Sequence, residues 1–130
     1  MVTKQAIYPS GSGLVNPAYT PGIRVDNLVF VSGQGPFNSD TNHFETSDFE
    51  HQVELTLRNL ERVLTSAGAS LSDVVKVTVH LQNINDFASM NAVYEKFFPD
   101  PRPARTTVQS VLMAGISVEI DAIAVCGCGQ

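Results

Sequence analysis

The chain predicts an α+β fold: a mixed β-sheet with two helices packed on one face. Three observations carry that expectation. Two segments, about 47–67 and 86–97, repeat apolar residues every three or four positions, as amphipathic helices do. Four segments, 28–32, 74–81, about 104–112 and about 117–125, are rich in the β-branched residues that strands favour. Their order is strand, helix, strand, helix, strand, strand, so each helix can cross over between strands of one sheet.

The elements follow in chain order. "PSGSGLVNPAYTPG", 9–22, is rich in Pro, Gly and Ser and reads as a loop. "LVFVS", 28–32, reads as a buried strand closed by Gly33, and "GPFNSDTNHFE" as loop again. Ser47 and Glu50 have the S-x-x-E spacing of a capping box at the start of the first helix. Val53, Leu57, Leu60, Leu64 and Ala67 form its stripe, and Gly68 ends it. In "VVKVTVHL", 74–81, Val75, Val77, Val79 and Leu81 alternate with Lys76, Thr78 and His80, which predicts a half-buried strand. The second helix starts near Asn85 or Asp86, either able to cap it. Its stripe is Phe87, Met90, Tyr94 and Phe97, and Pro99 stops it. The last two strands join near "AGI". Two helices cover about one face of four strands. The other face carries Val111, Ile123 and Val125 among Thr78, Thr107 and Gln109, and a lone subunit would leave it wet. A homo-oligomer that covers this face is the expectation.

At 130 residues the chain fits a single domain, 1–130. Eight Lys and Arg against thirteen Asp and Glu give a net charge of −5, with no basic run, so a nucleic-acid partner is disfavoured. No apolar run is long enough to cross a membrane. The opening "MVTKQAIYPS" lacks the charged-then-apolar pattern of a secretory leader. The cysteines, Cys126 and Cys128, do not make a disulfide framework, and a reducing cytoplasm is the expected setting. His43, His51 and His80 share no metal-like spacing. The C-x-C tail supplies two soft ligands where structural zinc wants four, so no metal is expected and the tail reads as frayed, with reduced thiols.

"PRPARTTVQS", 101–110, raises the functional question. Arg105 opens a strand, and no Lys or Arg follows it, whereas Glu119 and Asp121 do. It needs a partner: either one of those carboxylates in a structural ion pair, or an anionic ligand. If the last two strands paired as a tight hairpin, Glu119 would face about residue 110. Arg105 would then lie about five residues, or roughly 16 Å, away along the strand. Either the strands are not neighbours, or the two side chains meet across a subunit boundary.

Four stretches, "NLVFVSGQGP", "AGASLSDVVKVTVHLQNINDFASMNAVYEKFF", "PARTTV" and "VEIDAIAV", together resemble the RidA/YjgF family over about residues 17–125. The resemblance implies a chorismate-mutase-like fold, a homotrimer with clefts between subunits, and no metal or organic cofactor. It implies hydrolysis of reactive 2-imino or 2-enamino acids, such as 2-aminoacrylate, to 2-oxo acids and ammonia. By position, Arg105 matches the family's carboxylate-binding arginine, and Glu119 its acidic residue near the reacting carbon. Tyr19 matches the tyrosine of the N-terminal loop. Ser32 and Gly33 match the serine–glycine pair after the first core strand, and Asn91 the asparagine of the second helix. Thr107 falls where members carry cysteine or threonine. The chain departs from the family in two places. "NPAYTPG" stands where Gly-Pro-Tyr-Ser-Gln is usual, and "LMAGIS" replaces the usual Leu-Pro before "VEI", which changes the loop flanking Glu119.

Imine hydrolysis needs a held carboxylate, a water at the C=N carbon and a path for protons. A guanidinium fork matches a carboxylate with two parallel N–H bonds. A carboxylate such as Glu119 can orient water or pass a proton to departing ammonia. Tyr19 can close the pocket, and Ser32 and Gly33 can present a hydroxyl and backbone groups to the ligand. Plain structural readings stand beside these: loop packing for Tyr19, a strand-ending turn for Ser32–Gly33, a loop tie for Asn91, strand filling for Thr107 and a solvated position for Glu119. Two other functions fit the same fold. One is a trimer that binds 2-oxo acids or regulates a partner without turnover. The other is an RNA-cleaving translation inhibitor, which the acidic charge disfavours.

Overall fold

A computed structural model describes residues 2–9 and 16–129. Residues 10–15 of the expected 9–22 loop lie outside the described residues. The elements are β1 (Gln5–Ile7), β2 (Gly22–Val25), β3 (Leu28–Gln34), β4 (Phe37–Asn38), β5 (His43–Phe44), α1 (Phe49–Ser66), β6 (Val74–Leu81), α2 (Phe87–Phe97), β7 (Ala104–Gln109) and β8 (Val118–Val125). Six strands form one sheet in the order β1-β2-β3-β8-β6-β7, and β4 and β5 pair separately. β6 and β7 are parallel, and the other pairs of the large sheet are antiparallel. The sheet is therefore mixed, with both helices packed on one face. α2 is the crossover from β6 to β7. β3 and β6 both run against β8, so α1 connects two parallel strands.

The four expected strands become six because β1 and β2 join at one edge. They are three and four residues long, too short to carry a visible alternation. β3 does not close at Gly33. It runs on to Gln34 through an irregularity between Val31 and Gln34. The segment read as loop after it contains the β4–β5 pair, with the Phe37 and Phe44 rings edge to face at 5.1 Å.

The α1 stripe is buried as its spacing requires, with Val53, Leu57, Leu60 and Leu64 fully inaccessible. Its N-cap is Asp48 rather than Ser47: the Asp48 side chain accepts from the His51 backbone N–H. A carboxylate there also meets the positive end of the helix dipole. At the other end Arg24 of β2 donates to the Ala67 carbonyl at 2.6 Å, and Gly68 takes the left-handed φ of 84°. α2 is entered through a 3₁₀ turn, Ile84–Asp86, capped by Asn83 through the Asn85 N–H. Neither expected cap, Asn85 or Asp86, supplies a side-chain cap bond. Met90 and Tyr94 are buried, as are Val93 and Phe98, whereas Phe87 is 42% exposed.

Parity within the sheet differs from expectation at one bulge. A register shift between Val74 and Lys76 buries Val74 and leaves Val75 41% exposed, while Val77, Val79 and Leu81 stay in the core. Thr107 pairs with Val79 and Gln109 with Leu81, so both lie on the helix-covered side, not the open face. Val111 lies beyond the end of β7. The open face carries Leu28, Phe30, Ile123 and Val125, joined through directly paired positions, with Thr78 opposite Asp121.

The tail is held rather than frayed. Cys126 N–H donates to Asn27 O, Cys128 N–H to Val125 O, and Gly129 N–H to the Asp73 carboxylate at 2.9 Å. A side chain at Gly129 would collide with the Ser72 backbone. Among the described residues no helix is long and apolar enough to cross a membrane.

Candidate functional site

Arg105 sits on the edge strand β7, opposite the buried Val77, and so faces the helix-covered side of the sheet. α2 meets it with residues 87, 91 and 94, a spacing that puts three side chains on one helix face. Arg105 Nη2 donates to Asn91 Oδ1 at 2.7 Å. Its guanidinium carbon lies 4.7 Å from the Tyr94 ring centre and 5.5 Å from that of Phe87. Among the described residues no carboxylate pairs with it, so the structural ion pair with Glu119 or Asp121 does not form. One N–H of five is engaged by Asn91, and the fork keeps donors for a ligand. The Tyr94 hydroxyl is buried, and among the described residues it makes no well-formed hydrogen bond, with the Arg105 guanidinium as its polar neighbour. Burial raises its pKa, and the nearby Arg105 charge opposes the rise. Thr107, half-buried, lies on the same side two residues along β7.

Glu119 belongs to a different place. It pairs with His80 on β6, and its neighbours Val118 and Ile120 are buried, so its side chain is on the open side. It packs over the backbone of Gly33: a Cβ built at Gly33 would stand 2.6 Å from Glu119 Oε2. Gly33, Glu119 and the half-exposed Tyr19 line a cavity of about 320 Å³ at the end of β3. Ser32 does not line it. The Ser32 hydroxyl donates to Thr20 O at 2.6 Å and its N–H to Pro21 O at 2.9 Å, which ties down the loop that carries Tyr19.

Two residues that the sequence reading passed over build this second region. Asn59 of α1 donates both amide hydrogens, to Gly35 O and Phe37 O, each at 2.9 Å. Gln52, seven residues earlier and 1% exposed, accepts from Ser117 N–H at 2.9 Å, two residues before Glu119. The signal was present: Gln52, Thr56 and Asn59 run beside the Val53–Leu57–Leu60 stripe at the same spacing, which puts polar groups at the buried border.

Within one protomer the two regions do not meet. β6 lies between β7 and β8, and the rung of Arg105 is three residues from that of Glu119. The two Cα atoms are therefore about 14 Å apart, from two strand spacings and three residues of rise. The side chains also leave the sheet on opposite sides. The hairpin alternative is thereby resolved in favour of non-neighbouring strands.

Comparison with known proteins agrees with this architecture. The family model described as Endoribonuclease L-PSP matches residues 13–126. A RutC family protein of Pyrococcus abyssi is 39% identical, covering 95% of this chain and 98% of the relative. A Dermatophagoides farinae protein named 2-iminobutanoate/2-iminopropanoate deaminase is 38% identical, covering 82% of this chain and 84% of its own length. The crystal structure of Escherichia coli TdcF with bound serine superposes with a TM-score of 0.85 at 34% identity, covering 93% of this chain and 98% of that one.

Proposed function

Because the chain belongs to the Endoribonuclease L-PSP family, the group its motifs resembled under the name RidA/YjgF, we propose that it hydrolyses reactive 2-imino and 2-enamino acids to 2-oxo acids and ammonia. The observation that carries this reading is Arg105: a cation oriented by Asn91 and two rings, with no carboxylate partner among the described residues. A neighbour solved with serine bound and a relative named as an imine deaminase support the same substrate chemistry.

The guanidinium fork holds the substrate carboxylate, with Asn91 fixing the plane and Thr107 beside it. An enamine first takes a proton at its β-carbon and gives one up from nitrogen to become the imine. Glu119 takes a proton from water as oxygen bonds to the C=N carbon, and the π pair moves to nitrogen. The proton then passes to that nitrogen to give the carbinolamine. Glu119 next takes the hydroxyl proton and delivers it to the same nitrogen as the C=O forms, the C–N bond breaks and ammonia leaves. Tyr19 covers the pocket, Gly33 lets Glu119 lie close to the backbone, and Ser32 acts through the Tyr19 loop. The cation and the acid lie on opposite sides of one sheet, so a shared site draws Arg105 from one subunit and Glu119 from its neighbour. The apolar Leu28, Phe30, Ile123 and Val125 suit such an assembly, a homotrimer with clefts between subunits, and the setting is cytoplasmic. The family description names RNA cleavage, but a net charge of −5 gives little phosphate attraction.

The test is to generate 2-aminoacrylate enzymatically from serine and follow its loss with and without the protein. Faster loss with ammonia release is expected, and an unchanged rate sinks the reading. Light scattering should give about three times the 14.0 kDa chain mass. A monodisperse monomer removes the shared site.

A further inference from the structure

We propose that the cavity beside Glu119 is a side-chain subsite that selects imino acids with a bulky apolar side chain, leucine-like or larger, over three-carbon ones. This rests on the deaminase reading of Glu119. Four observations carry it.

The first is placement. Glu119 and Gly33 form part of the cavity wall, so a carbon held at the Glu119 carboxylate has its substituents at the cavity mouth. The second is size. About 320 Å³ falls within the range of small-molecule pockets, roughly 300–1,000 Å³, while 2-aminoacrylate has one side-chain carbon to place there. The third is the wall. Phe37 and Phe44 come from the β4–β5 pair, and Met113 and Ile116 from the loop before β8, with Pro9 and Pro21 beside them. Glu119 and Arg62 are the charged side chains in that wall. The Asn59 amide is turned away onto the Gly35 and Phe37 carbonyls, so it stiffens the aromatic wall. The fourth is sequence. Met113 and Ile116 belong to "LMAGIS", the loop that leads directly into the strand of Glu119, so one segment sets both part of the wall and the position of the acid.

An apolar pocket discriminates by filling. One missing methylene is worth about tenfold or somewhat more, because the unfilled space keeps water against apolar walls. A leucine-like side chain should therefore exceed the alanine-like one by about tenfold or more in kcat/KM.

The experiment generates 2-imino acids in situ from alanine and from leucine with an L-amino-acid oxidase and compares kcat/KM for the full chain. In parallel, calorimetry compares binding of two stable products, pyruvate and 4-methyl-2-oxopentanoate. Met113→Asp, at a position 81% exposed and so tolerant of change, should lower the leucine-to-alanine ratio in both measurements. Phe37→Ser should do the same. Turnover of both imines with no preference for the larger overturns the subsite and leaves the deaminase reading standing. No turnover, but tighter binding of the larger oxo acid that Met113→Asp abolishes, supports the subsite and removes the deaminase reading. Equal binding of the two oxo acids, or ratios indifferent to both substitutions, overturns the subsite.

Discussion

Arg105 and Glu119 are charged side chains on one sheet, yet the molecule holds them in opposite ways. Arg105 is supplied with a cradle. Asn91 takes one of its N–H groups, and Tyr94 and Phe87 flank the guanidinium, all from one face of α2. Glu119 is given space. A glycine lies beneath it, no described cation pairs with it, and a cavity opens beside it. The first region is fixed by one helix and one strand close in sequence. The second is assembled from β3, the β4–β5 pair, α1 and the β8 loop. A group that must hold a substrate in one orientation benefits from rigid partners, whereas a group that must move a proton needs room for water and substrate. On the proposed mechanism this difference gives binding to the Arg105 region and chemistry to the Glu119 region, and each variant below presses on that division.

The largest effect is expected at Glu119. Glu119→Gln keeps the size and removes the base, so kcat should fall by about 10²–10⁴-fold with KM little changed. A rise in KM with kcat intact would reverse the assignment. Arg105→Ala should lower kcat/KM by roughly 30- to 1,000-fold, from about 2–4 kcal/mol of lost charge-assisted hydrogen bonding. Arg105→Lys keeps the charge but loses the fork and the stacking, and should also be impaired. An Arg105→Ala variant that stays folded and clears the imine at the parental rate would leave the site without its anchor.

Gly33→Ala tests the space under Glu119. The added methyl needs the carboxylate to move, since 2.6 Å is closer than a Cβ contact allows. A displacement of about an ångström should lower kcat by roughly ten- to a hundredfold. Full activity would mean that the Glu119 position is not critical. Mixing subunits then tests the division directly. Arg105→Ala and Glu119→Gln chains assembled together give sites built from two different subunits. If each site joins Arg105 of one copy to Glu119 of the next, about a quarter of the sites are intact and activity returns to that level. If both groups act within one protomer, every site stays defective.

The same contrast explains what was legible in the sequence. Arg105 stands out because its segment holds no other cation, and α1 because its stripe is regular. That α2 crosses over between strands of a mixed sheet was legible, but the insertion of β6 between β7 and β8 was not, since nothing local encodes it. Thr107 and Gln109 were consequently assigned to the wrong face. The Val74–Lys76 bulge misleads in another way: it adds one residue to the strand and reverses parity on its N-terminal side, so that Val74 is buried and Val75 exposed. β1, β2, β4 and β5 are too short for any period to emerge. The spacing of Gln52 and Asn59 beside the α1 stripe places them at the buried border, but their partners, two loop carbonyls and an N–H far away in the chain, are encoded by no local pattern.

The smallest functional effect is expected at a second carboxylate, Asp73, which serves as the control for Glu119. Asp73 is 5% exposed and accepts from the Ser70 and Gly129 N–H groups at 3.0 and 2.9 Å. Burial alone would raise its pKa, but the backbone N–H groups of Gly129, Gly127 and Ser70 outweigh it and hold the carboxyl below its ordinary 3.8. The folded state thus binds the proton less readily than the unfolded chain. The stability that Asp73 adds is complete above about pH 4 and is lost as pH falls through the lower folded-state value. Asp73→Asn points an amide donor at a cluster of N–H donors, and should lower unfolding stability by about 1–3 kcal/mol at pH 7. The gap between parent and variant in urea midpoint should shrink as pH drops below about 4. Catalysis should barely respond. Asp73 adjoins the start of β6, and Glu119 faces His80 about 20 Å further along it. Asp73→Asn, like Cys126→Ser with Cys128→Ser in the tail that Asp73 anchors, should therefore keep kcat/KM within about twofold. A variant that loses turnover while its oligomer mass and midpoint are unchanged would mean that a fully satisfied carboxylate takes part in the chemistry. Satisfaction of hydrogen bonds would then no longer separate a structural acid from a catalytic one in this molecule.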